Sequence, residues 1–290
     1  MRTGARMNVN CEISVTGNNM IAFANAKINL GLFVTERRPD GFHNLESIFL
    51  PVSLCDVVEA VRTETEGIRF STQGRTIDGD VETNLCVKAY RLLSRDFQLG
   101  GVDATMLKNV PIGAGLGGGS SDGAHMLKIL NTLFELNLSS EELRDYAAQL
   151  GSDCPFFIDN KPSFVHGRGE LLEPIDVSLK GQHVVIIHPG IHVSTAEAFK
   201  GIEPKAAPFN LRTIQELPHN QWQQVVTNDF ENSVCAQHPA ISTLIDQLIQ
   251  EGAWYARMSG SGSAVFAFFD ERVELTSIPA HYFCSWGTVL

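Results

Sequence analysis

Residues 111–124 read Pro-Ile-Gly-Ala-Gly-Leu-Gly-Gly-Gly-Ser-Ser-Asp-Gly-Ala, and five glycines fall between positions 113 and 119. Because glycine has no Cβ atom, successive backbone N–H groups in such a stretch can converge on an anion. Two hydroxyl residues follow, and a helix-like spacing of apolar residues then runs over 121–134. A helix N-terminus adds unpaired N–H donors and the positive end of the helix dipole. The stretch therefore predicts a phosphate-binding loop that leads into a helix.

Three interpretations of this glycine loop are open. A flexible linker is disfavoured, because Pro111 precedes the glycines and an amphipathic helix follows them. A dinucleotide site, as in a dehydrogenase that binds NAD(H), fits Gly113-x-Gly115-x-x-Gly118, but the stretch 104–110 before it is a poor buried strand. A loop for a nucleoside triphosphate is favoured, although it is not a Walker A motif, since no Gly-Lys-Ser/Thr follows the glycines.

The composition limits the class of partner. Of the 290 residues, 43% are apolar, which is enough for a packed core. Lys and Arg number 22 against 33 Asp and Glu, a formal net charge of −11 that argues against nucleic acid or an anionic membrane as the main partner. A local positive site can still bind an anionic small molecule. Six scattered cysteines without zinc-like spacing are typical of reduced thiols, so we expect a cytoplasmic protein.

Strand-like and helix-like spacings alternate along the chain in an irregular order, which favours an α+β fold. We expect residues 1–19 to form a disordered extension, residues 20–165 an N-terminal domain that contains the nucleotide-binding loop, and residues 166–290 a C-terminal domain. The division is placed where glycines and prolines cluster, between positions 160 and 180.

Two short segments contain ionisable residues, Lys27 and Asp153, and each of these residues has a structural and a functional interpretation. In Asn25-Ala26-Lys27-Ile28-Asn29, period-two alternation sets Lys27 and Asn29 on the strand face opposite the apolar residues. This pattern fits either an edge strand with two solvated polar residues or a functional polar pair. Asp153 is followed by Cys-Pro-Phe-Phe and is either a helix cap or a positioned, partly desolvated carboxylate.

The glycine loop resembles the ATP-binding loop of the GHMP kinases, the superfamily of galactokinase, homoserine kinase and mevalonate kinase. The segments around Lys27 and Asp153 are similar to the family motifs Ala-Lys-x-Asn and Gly-x-Asp-x-Pro, although Asn25 stands where the family often has proline. The resemblance implies an ATP-dependent small-molecule kinase with a two-domain α+β fold and an active site in the interdomain cleft. It also implies that Asp153 accepts the proton of the substrate hydroxyl with the help of Lys27, while Mg²⁺ is bound to the nucleotide.

The same resemblance implies which residues contact ATP. Asn84 and Lys108 stand at positions that contact adenosine in the family, and Ser120 or Ser121 is a candidate ligand of the metal, whose protein ligands otherwise stay unknown. The segment 258–264, Met-Ser-Gly-Ser-Gly-Ser-Ala, is similar to a third motif that packs against the first loop, and it equally fits a tight turn into a strand. The loop residues expected at the nucleotide are Pro111, Ile112, Gly113, Ala114, Gly115, Leu116, Gly117, Gly118, Gly119, Ser120 and Ser121.

Residues 37–45, Arg-Arg-Pro-Asp-Gly-Phe-His-Asn-Leu, are similar to the pattern Arg-x-Asp-Gly-Tyr-His of one branch of the family. That branch phosphorylates the 2-hydroxyl of 4-diphosphocytidyl-2-C-methyl-D-erythritol, a step of non-mevalonate isoprenoid precursor biosynthesis. The resemblance implies that Phe42 and His43 hold the cytosine, with Phe42 stacking on it but lacking the phenol hydroxyl of tyrosine. It also implies substrate contacts from Asn29, Thr195 and Phe199.

Two other functions stay open on the sequence alone. The first is a GHMP kinase that acts on homoserine or a mevalonate-type alcohol, and the second is a nucleotide-binding protein without turnover. The presence of both Lys27 and Asp153 argues against the second. We expect a monomer or a homodimer with a small-molecule substrate and with neither a nucleic-acid nor a membrane partner.

Overall fold

The computed structural model describes residues 14–16 and 18–290. Of the extension predicted over residues 1–19, positions 1–13 and 17 lie outside the described residues. Within that predicted extension, Ser14–Thr16 forms strand β1 and pairs antiparallel with the start of β2 (Asn19–Arg37).

The first sheet is built on a long antiparallel hairpin of β2 and β3 (His43–Thr63). Its further strands are β4 (Ile68–Gly74), β5 (Gly101–Lys108), β6 (Ser163–His166) and β7 (Leu171–Pro174). The strand order is β1-β2-β3-β5-β4, and β6, paired with β7, joins β3 beyond the end of β5. In β2, Ile28 and Leu30 are fully buried in an apolar cluster, while Lys27 and Asn29 line a cavity on the other face, as the alternation predicts.

Four helices accompany the first sheet: α1 (Leu85–Leu93), α2 (Gly118–Leu133), α3 (Ser140–Leu150) and α4 (Cys154–Asp159). Helix α2 packs on β2 and β3 through a buried stripe that includes Met126, Ile129 and Leu133. The glycine loop thus leaves β5 and enters α2, which confirms the predicted loop-to-helix order. Helix α4 starts at the segment that contains Asp153.

The second sheet is antiparallel, with the strand order β11-β8-β10-β9. Its strands are β8 (His183–His188), β9 (Tyr255–Met258), β10 (Val265–Phe269) and β11 (Phe283–Thr288). The accompanying helices are α5 (Thr195–Phe199), α6 (His219–Val225), α7 (Phe230–Gln237) and α8 (Pro239–Gln250). In the described part of the chain, no helix has the length and apolar character that a membrane crossing requires.

A shared apolar core joins the two sheets. Its members include Ile28 and Leu50 of the first sheet and Ile186 and Phe266 of the second, all at most 1% exposed. Strand β11 also lies beside β3, where Val52 and Val289 form an isolated bridge. Two mixed layers with this connectivity are an α+β fold, as predicted.

The first sheet extends beyond residue 165, where the sequence places the domain boundary. That position lies inside β6, and the first sheet continues to Pro174 before β8 opens the second sheet at His183. The glycines that cluster near the predicted boundary form the turn of the β6–β7 hairpin, where Gly167 and Gly169 have positive φ angles.

Candidate active site

Positive backbone φ angles shape the glycine loop at Gly113, Gly115 and Gly117. At Gly115, where φ is +78°, a Cβ atom would lie only 2.0 Å from the carbonyl oxygen of Ser259. At Gly117, where φ is +68°, it would press on the side chains of Lys27 and Phe157 at about 3 Å. Glycine is therefore required at both positions by conformation and by space.

Helix α2 begins at Gly118 with Gly117 as its N-cap, and no side chain caps this end. The first-turn N–H groups and the positive end of the helix dipole are thus available to an anion. They face a cleft of about 740 Å³ that is lined by ten consecutive loop residues: Pro111, Ile112, Gly113, Ala114, Gly115, Leu116, Gly117, Gly118, Gly119 and Ser120. The loop and the helix end that the sequence predicts for phosphate binding therefore form one wall of this nucleotide-sized cleft.

Ser121, the last loop residue expected at the nucleotide, does not line the cleft. Its side chain is fully buried, and its hydroxyl lies 3.2 Å from Nδ1 of His125, one turn further along α2. The contact of Ser121 with the nucleotide or its metal therefore stays a prediction, which this orientation does not favour because the helix turns the side chain towards the core.

Lys27 lies in β2 and Asp153 immediately precedes α4, and the fold brings these two distant side chains together. The Nζ atom of Lys27 lies 3.5 Å from Oδ2 of Asp153, donates a 2.6 Å hydrogen bond to Oδ1 of Asn29, and stands 4.3 Å from the ring centroid of Phe49. The Lys27 side chain is only 5% exposed, so the alternative of a solvated edge strand is wrong. Burial lowers the pKa of Lys27 below its usual value, and the nearby Asp153 carboxylate opposes that shift.

Asp153 occupies the N-cap position of α4, but its side chain makes no capping hydrogen bond. The alternative that this carboxylate serves as a helix cap is therefore wrong. The carboxylate is 29% exposed and borders two cavities, the nucleotide-sized cleft and a second one described below. It is a positioned carboxylate with access to both.

The segment 258–264 packs directly against the glycine loop. The Ser259 hydroxyl donates to the Gly115 carbonyl at 2.9 Å, and the Ala264 N–H donates to the Ala114 carbonyl at 3.2 Å. The Asn29 N–H donates to the Ser259 hydroxyl at 3.3 Å, which ties β2 to the same place. The predicted packing of the second glycine segment against the first is confirmed.

A second cavity of about 720 Å³ adjoins the first. Its wall contains all the side chains predicted for the substrate: Asn29, Phe42, His43, Thr195 and Phe199. The rings of His43 and Phe199 are stacked with centroids 4.9 Å apart, whereas Phe42 is 56% exposed at the rim. Five residues line both cavities, namely Gly115, Gly117, Asp153, Thr195 and Ser261, so the two cavities meet at Asp153.

Asn84 and Lys108, predicted to contact adenosine, both line the first cleft but also have internal partners. The Asn84 side chain caps α1 by accepting from the Cys86 N–H at 2.9 Å. The Lys108 Nζ lies 2.6 Å from both Asp56 and Asp122, which are buried. Burial raises the pKa of Asp122, and the neighbouring Lys108 opposes that rise. One cation cannot neutralise both carboxylates, and Asp56 therefore also raises the pKa of Asp122.

A magnesium ion at the nucleotide would depend mainly on phosphate oxygens. Among the described residues, no group of three or more His, Cys, Asp or Glu side chains could hold a metal ion. Ser120 and Asp122 face the cleft, and the buried Oδ1 of Asp122 has no hydrogen-bond partner in the described part of the chain. This set fits Mg²⁺, which usually takes one or two protein oxygens together with substrate phosphates.

Known proteins with similar sequences show to which family the chain belongs. Residues 84–167 match the family model described as GHMP kinases N terminal domain, and residues 209–279 match the model described as GHMP kinases C terminal. A curated protein of Bacteroides thetaiotaomicron, named 4-diphosphocytidyl-2-C-methyl-D-erythritol kinase, is 48% identical over 272 residues, which cover 93% of this chain and 97% of that protein. The chain belongs to the GHMP kinases.

Further relatives agree with this family. The 4-diphosphocytidyl-2-C-methyl-D-erythritol kinase of Porphyromonas gingivalis is 39% identical over 273 residues, covering 93% of this chain and 100% of that protein. A crystal structure of 4-(cytidine 5'-diphospho)-2C-methyl-D-erythritol kinase matches with a TM-score of 0.76 at 32% identity, covering 86% of this chain and 90% of that chain. The resemblance inferred from the glycine loop is confirmed, and the chain is an ATP-dependent small-molecule kinase of the GHMP type.

Several residues outside the predicted set support the site of this GHMP kinase. Asp122 directly follows the quoted serines, and its place in the motif is a signal that could have identified it. Asp56 and Asn228 carry no such local signal, because their partners are distant in sequence. Asn228 donates to the carbonyls of Met258 and Gly260 at 2.9 and 2.8 Å and so holds the second glycine segment in place.

Proposed function

We propose that this GHMP kinase transfers the γ-phosphate of ATP to the 2-hydroxyl of 4-diphosphocytidyl-2-C-methyl-D-erythritol. The observation that carries the proposal is the position of Asp153, which borders both cavities and lies 3.5 Å from the Lys27 ammonium. A nucleotide in the first cavity and an alcohol in the second would meet at this carboxylate. The names of the relatives support the cytidyl alcohol as the acceptor.

The donor side rests on the glycine loop and the start of α2. Backbone N–H groups at Gly118 and Gly119 offer hydrogen bonds to phosphate oxygens, and the helix dipole adds a fixed positive potential. Phosphoryl transfer requires positioning and charge compensation more than covalent chemistry from the protein. Mg²⁺, when bound on the nucleotide near Ser120 and Asp122, would neutralise part of the phosphate charge.

The acceptor hydroxyl is activated by Asp153 in this proposal. The carboxylate takes the hydroxyl proton as the oxygen attacks the γ-phosphorus, and the bond from that phosphorus to the β–γ bridging oxygen breaks. Lys27 lies close enough to keep Asp153 ionised and to stabilise negative charge on the attacking oxygen. The hydrogen bond from Lys27 to Asn29 fixes the direction of the ammonium group.

The acceptor side offers rings for a flat base. His43 and Phe199 form a stacked pair in the wall of the second cavity, and Phe42 adds an exposed ring at its rim. Stacking on such rings is tolerant of the missing tyrosine hydroxyl, because the contact depends on the ring face. These residues are the proposed cytosine contacts.

The acceptor is tested by phosphorus NMR of the protein with Mg²⁺-ATP and one of three alcohols. We expect a new phosphomonoester signal with 4-diphosphocytidyl-2-C-methyl-D-erythritol and none with homoserine or mevalonate. A signal with another alcohol would keep the kinase and change the acceptor. A lack of signal with all three would favour a nucleotide-binding protein without turnover.

The role of Asp153 is tested by Asp153→Asn with Asp159→Asn as the matched control. Both residues belong to the region of α4, but Asp159 is exposed and pairs with Arg144 outside both cavities. We expect Asp153→Asn to lower kcat by about 10²- to 10⁴-fold, the range for a lost general base, while ATP still binds. Asp159→Asn should retain turnover, and equal losses in both variants would contradict the assignment.

A further inference from the structure

The turn between β6 and β7 brings a cation to the rim of the second cavity. The Arg168 guanidinium lies 5.1 Å from the centroid of the Phe42 ring, and both residues line this cavity. The turn is held against the start of β3, because the Leu45 N–H donates to the Gly167 carbonyl at 2.7 Å. Arg168 therefore has a defined place beside the proposed cytosine contacts, although it belongs to none of the motifs in the sequence.

The charged side chains that line this cavity differ in their partners. Among the described residues that line it, the charged side chains apart from the histidine are Lys27, Asp153 and Arg168. Lys27 is already engaged by Asp153, Asn29 and the Phe49 ring. A multiply charged acceptor that enters the second cavity therefore meets its more exposed positive charge at Arg168.

The present partner of Arg168 is weak and replaceable. Its Nε atom lies 3.6 Å from Oε1 of Glu170, and the two side chains are 48% and 35% exposed. Exposed ion pairs of this kind contribute little, because water screens them and two long side chains must be ordered. The guanidinium carries five N–H donors, and the described residues accept no hydrogen bond from them.

We propose that Arg168 is a specificity-determining residue that binds the diphosphate group of the acceptor. The inference rests on the proposed function, since only a nucleoside-diphosphate acceptor supplies such a group. A planar guanidinium can bridge two phosphate oxygens with parallel hydrogen bonds, which a lysine cannot reproduce. The contact with the Phe42 ring orients the Arg168 guanidinium. At this rim the Phe42 ring then contacts the base, and the Arg168 charge binds the diphosphate.

The proposal is tested by calorimetric binding of cytidine, CMP and CDP to the protein saturated with a non-hydrolysable ATP analogue. In the parent, we expect affinity to rise from cytidine to CDP. In Arg168→Met, CDP should bind about 10- to 100-fold more weakly, as expected for the loss of a doubly hydrogen-bonded charged contact, while cytidine binding stays within about two-fold. Arg168→Lys should restore only part of the loss.

Arg212→Met is the matched control, because Arg212 also lies over a phenylalanine ring, 3.8 Å from the Phe164 centroid, and pairs with Glu173. It does not line the second cavity, so CDP binding should be unchanged. Equal weakening of cytidine, CMP and CDP in Arg168→Met would assign Arg168 to the base and overturn the proposal, as would no weakening at all.

Turnover separates failure of this inference from failure of the proposed function. If the parent phosphorylates the cytidyl alcohol and Arg168→Met leaves its KM unchanged, the function stands and the role of Arg168 is refuted. If the parent does not phosphorylate the cytidyl alcohol, both fall together. We expect a raised KM for the cytidyl alcohol and an unchanged KM for ATP.

Discussion

The Nζ atom of Lys27 lies 3.5 Å from Oδ2 of Asp153, although the two residues are 126 positions apart in the chain. Two hydrogen bonds of Lys27 and the position of Asp153 in the chain fix this distance. The Lys27 N–H donates to the Leu116 carbonyl of the glycine loop at 2.9 Å, its ammonium donates to Asn29, and Asp153 is held at the start of α4. The pair is thus built into the same framework that holds the phosphate-binding loop, so chemistry and donor binding share one geometry.

Replacing Lys27 by Met should separate activity from stability. We expect turnover to fall by about 100-fold or more, because Asp153 and the attacking oxygen lose their nearby positive charge. The melting temperature should stay the same or rise, because a methionine of similar length removes a buried ammonium whose desolvation is unfavourable. Asp153 is partly exposed, so water can solvate it after the change.

Steady-state kinetics and thermal unfolding of the same Lys27→Met preparation check this prediction. ATP binding, measured by calorimetry, serves as the control for an intact nucleotide cleft, because Lys27 does not line that cleft. A large drop in melting temperature together with lost ATP binding would mean that Lys27 has a structural role instead.

Gly115→Ala should disturb both glycine segments. The new methyl group would overlap the Ser259 carbonyl, and the φ angle of +78° is unfavourable for alanine. We expect a loss of about 1–3 kcal/mol in the free energy of unfolding and about a 100-fold fall in turnover, since small displacements near reacting groups are costly. Denaturant unfolding and steady-state kinetics measure the two effects.

Gly119→Ala is the stability control for this substitution. Gly119 lies inside α2, and no atom lies within 4 Å of the position of its added Cβ. Because alanine is the better helix former, we expect equal stability or a gain of up to about 1 kcal/mol. Similar losses for both alanine variants would show that the strain at Gly115 is not the cause.

The glycine loop and the pair of motifs around it could be predicted from sequence because their signals are local. Closely spaced glycines before a helical spacing of apolar residues indicate backbone conformations that favour glycine. Alternation in β2 indicates which face of the strand Lys27 occupies. The position of Asp153 was ambiguous for the same reason. A local pattern cannot distinguish a capping carboxylate from a free one, since the difference depends on hydrogen bonds that form only in the fold.

The contacts that sequence reasoning missed all join distant segments. Lys108 was expected at adenosine, but its ammonium is bound by Asp56, which lies 52 positions away, and by Asp122. Ser121 was expected at the nucleotide, but the rotation of α2 buries it against His125. Arg168 lies in a glycine-rich turn that reads as a domain boundary, and only the pairing of β6 with β3 brings it to the second cavity.

Lys108→Met should destabilise the protein strongly. The substitution leaves Asp56 and Asp122 buried without a cation, and removal of one partner from a buried ion pair costs about 3–5 kcal/mol. Urea unfolding monitored by circular dichroism measures this loss. Arg144→Met, which breaks an exposed pair with Asp159, is the control and should cause little change.

A second substitution keeps the Lys108 prediction testable if the single variant does not fold. Asp122→Asn in the Lys108→Met background removes the cost of either ionising or protonating this buried carboxyl group, so it should recover part of the lost stability. Asp56→Asn is less suited, because the Asp56 carboxylate also accepts from the backbone N–H groups of Asn109 and Val110. No recovery from Asp122→Asn would contradict the charge argument.

Glu231 should make stability depend on pH. Its carboxylate accepts a 2.7 Å hydrogen bond from the Met258 N–H, at the start of the second glycine segment, and its Oε2 lies 3.9 Å from Nε of Arg257. Burial raises the pKa of Glu231 from 4.5 to about 7, with Arg257 opposing. Between these two values the folded protein binds more protons than the unfolded chain, so the free energy of unfolding falls as pH rises through this window.

Glu231→Gln removes this pH dependence, because glutamine has the shape of the protonated acid and never ionises. Across pH 4.5 to 7, the difference in unfolding free energy between parent and variant should change by about 3 kcal/mol, with the variant gaining relative to the parent as pH rises. Urea unfolding at several pH values measures the difference, which cancels the contributions of all other titrating groups. If that difference is constant with pH, the pKa of Glu231 is the same in the folded and unfolded chain, and Arg257 and the Met258 N–H then offset its burial.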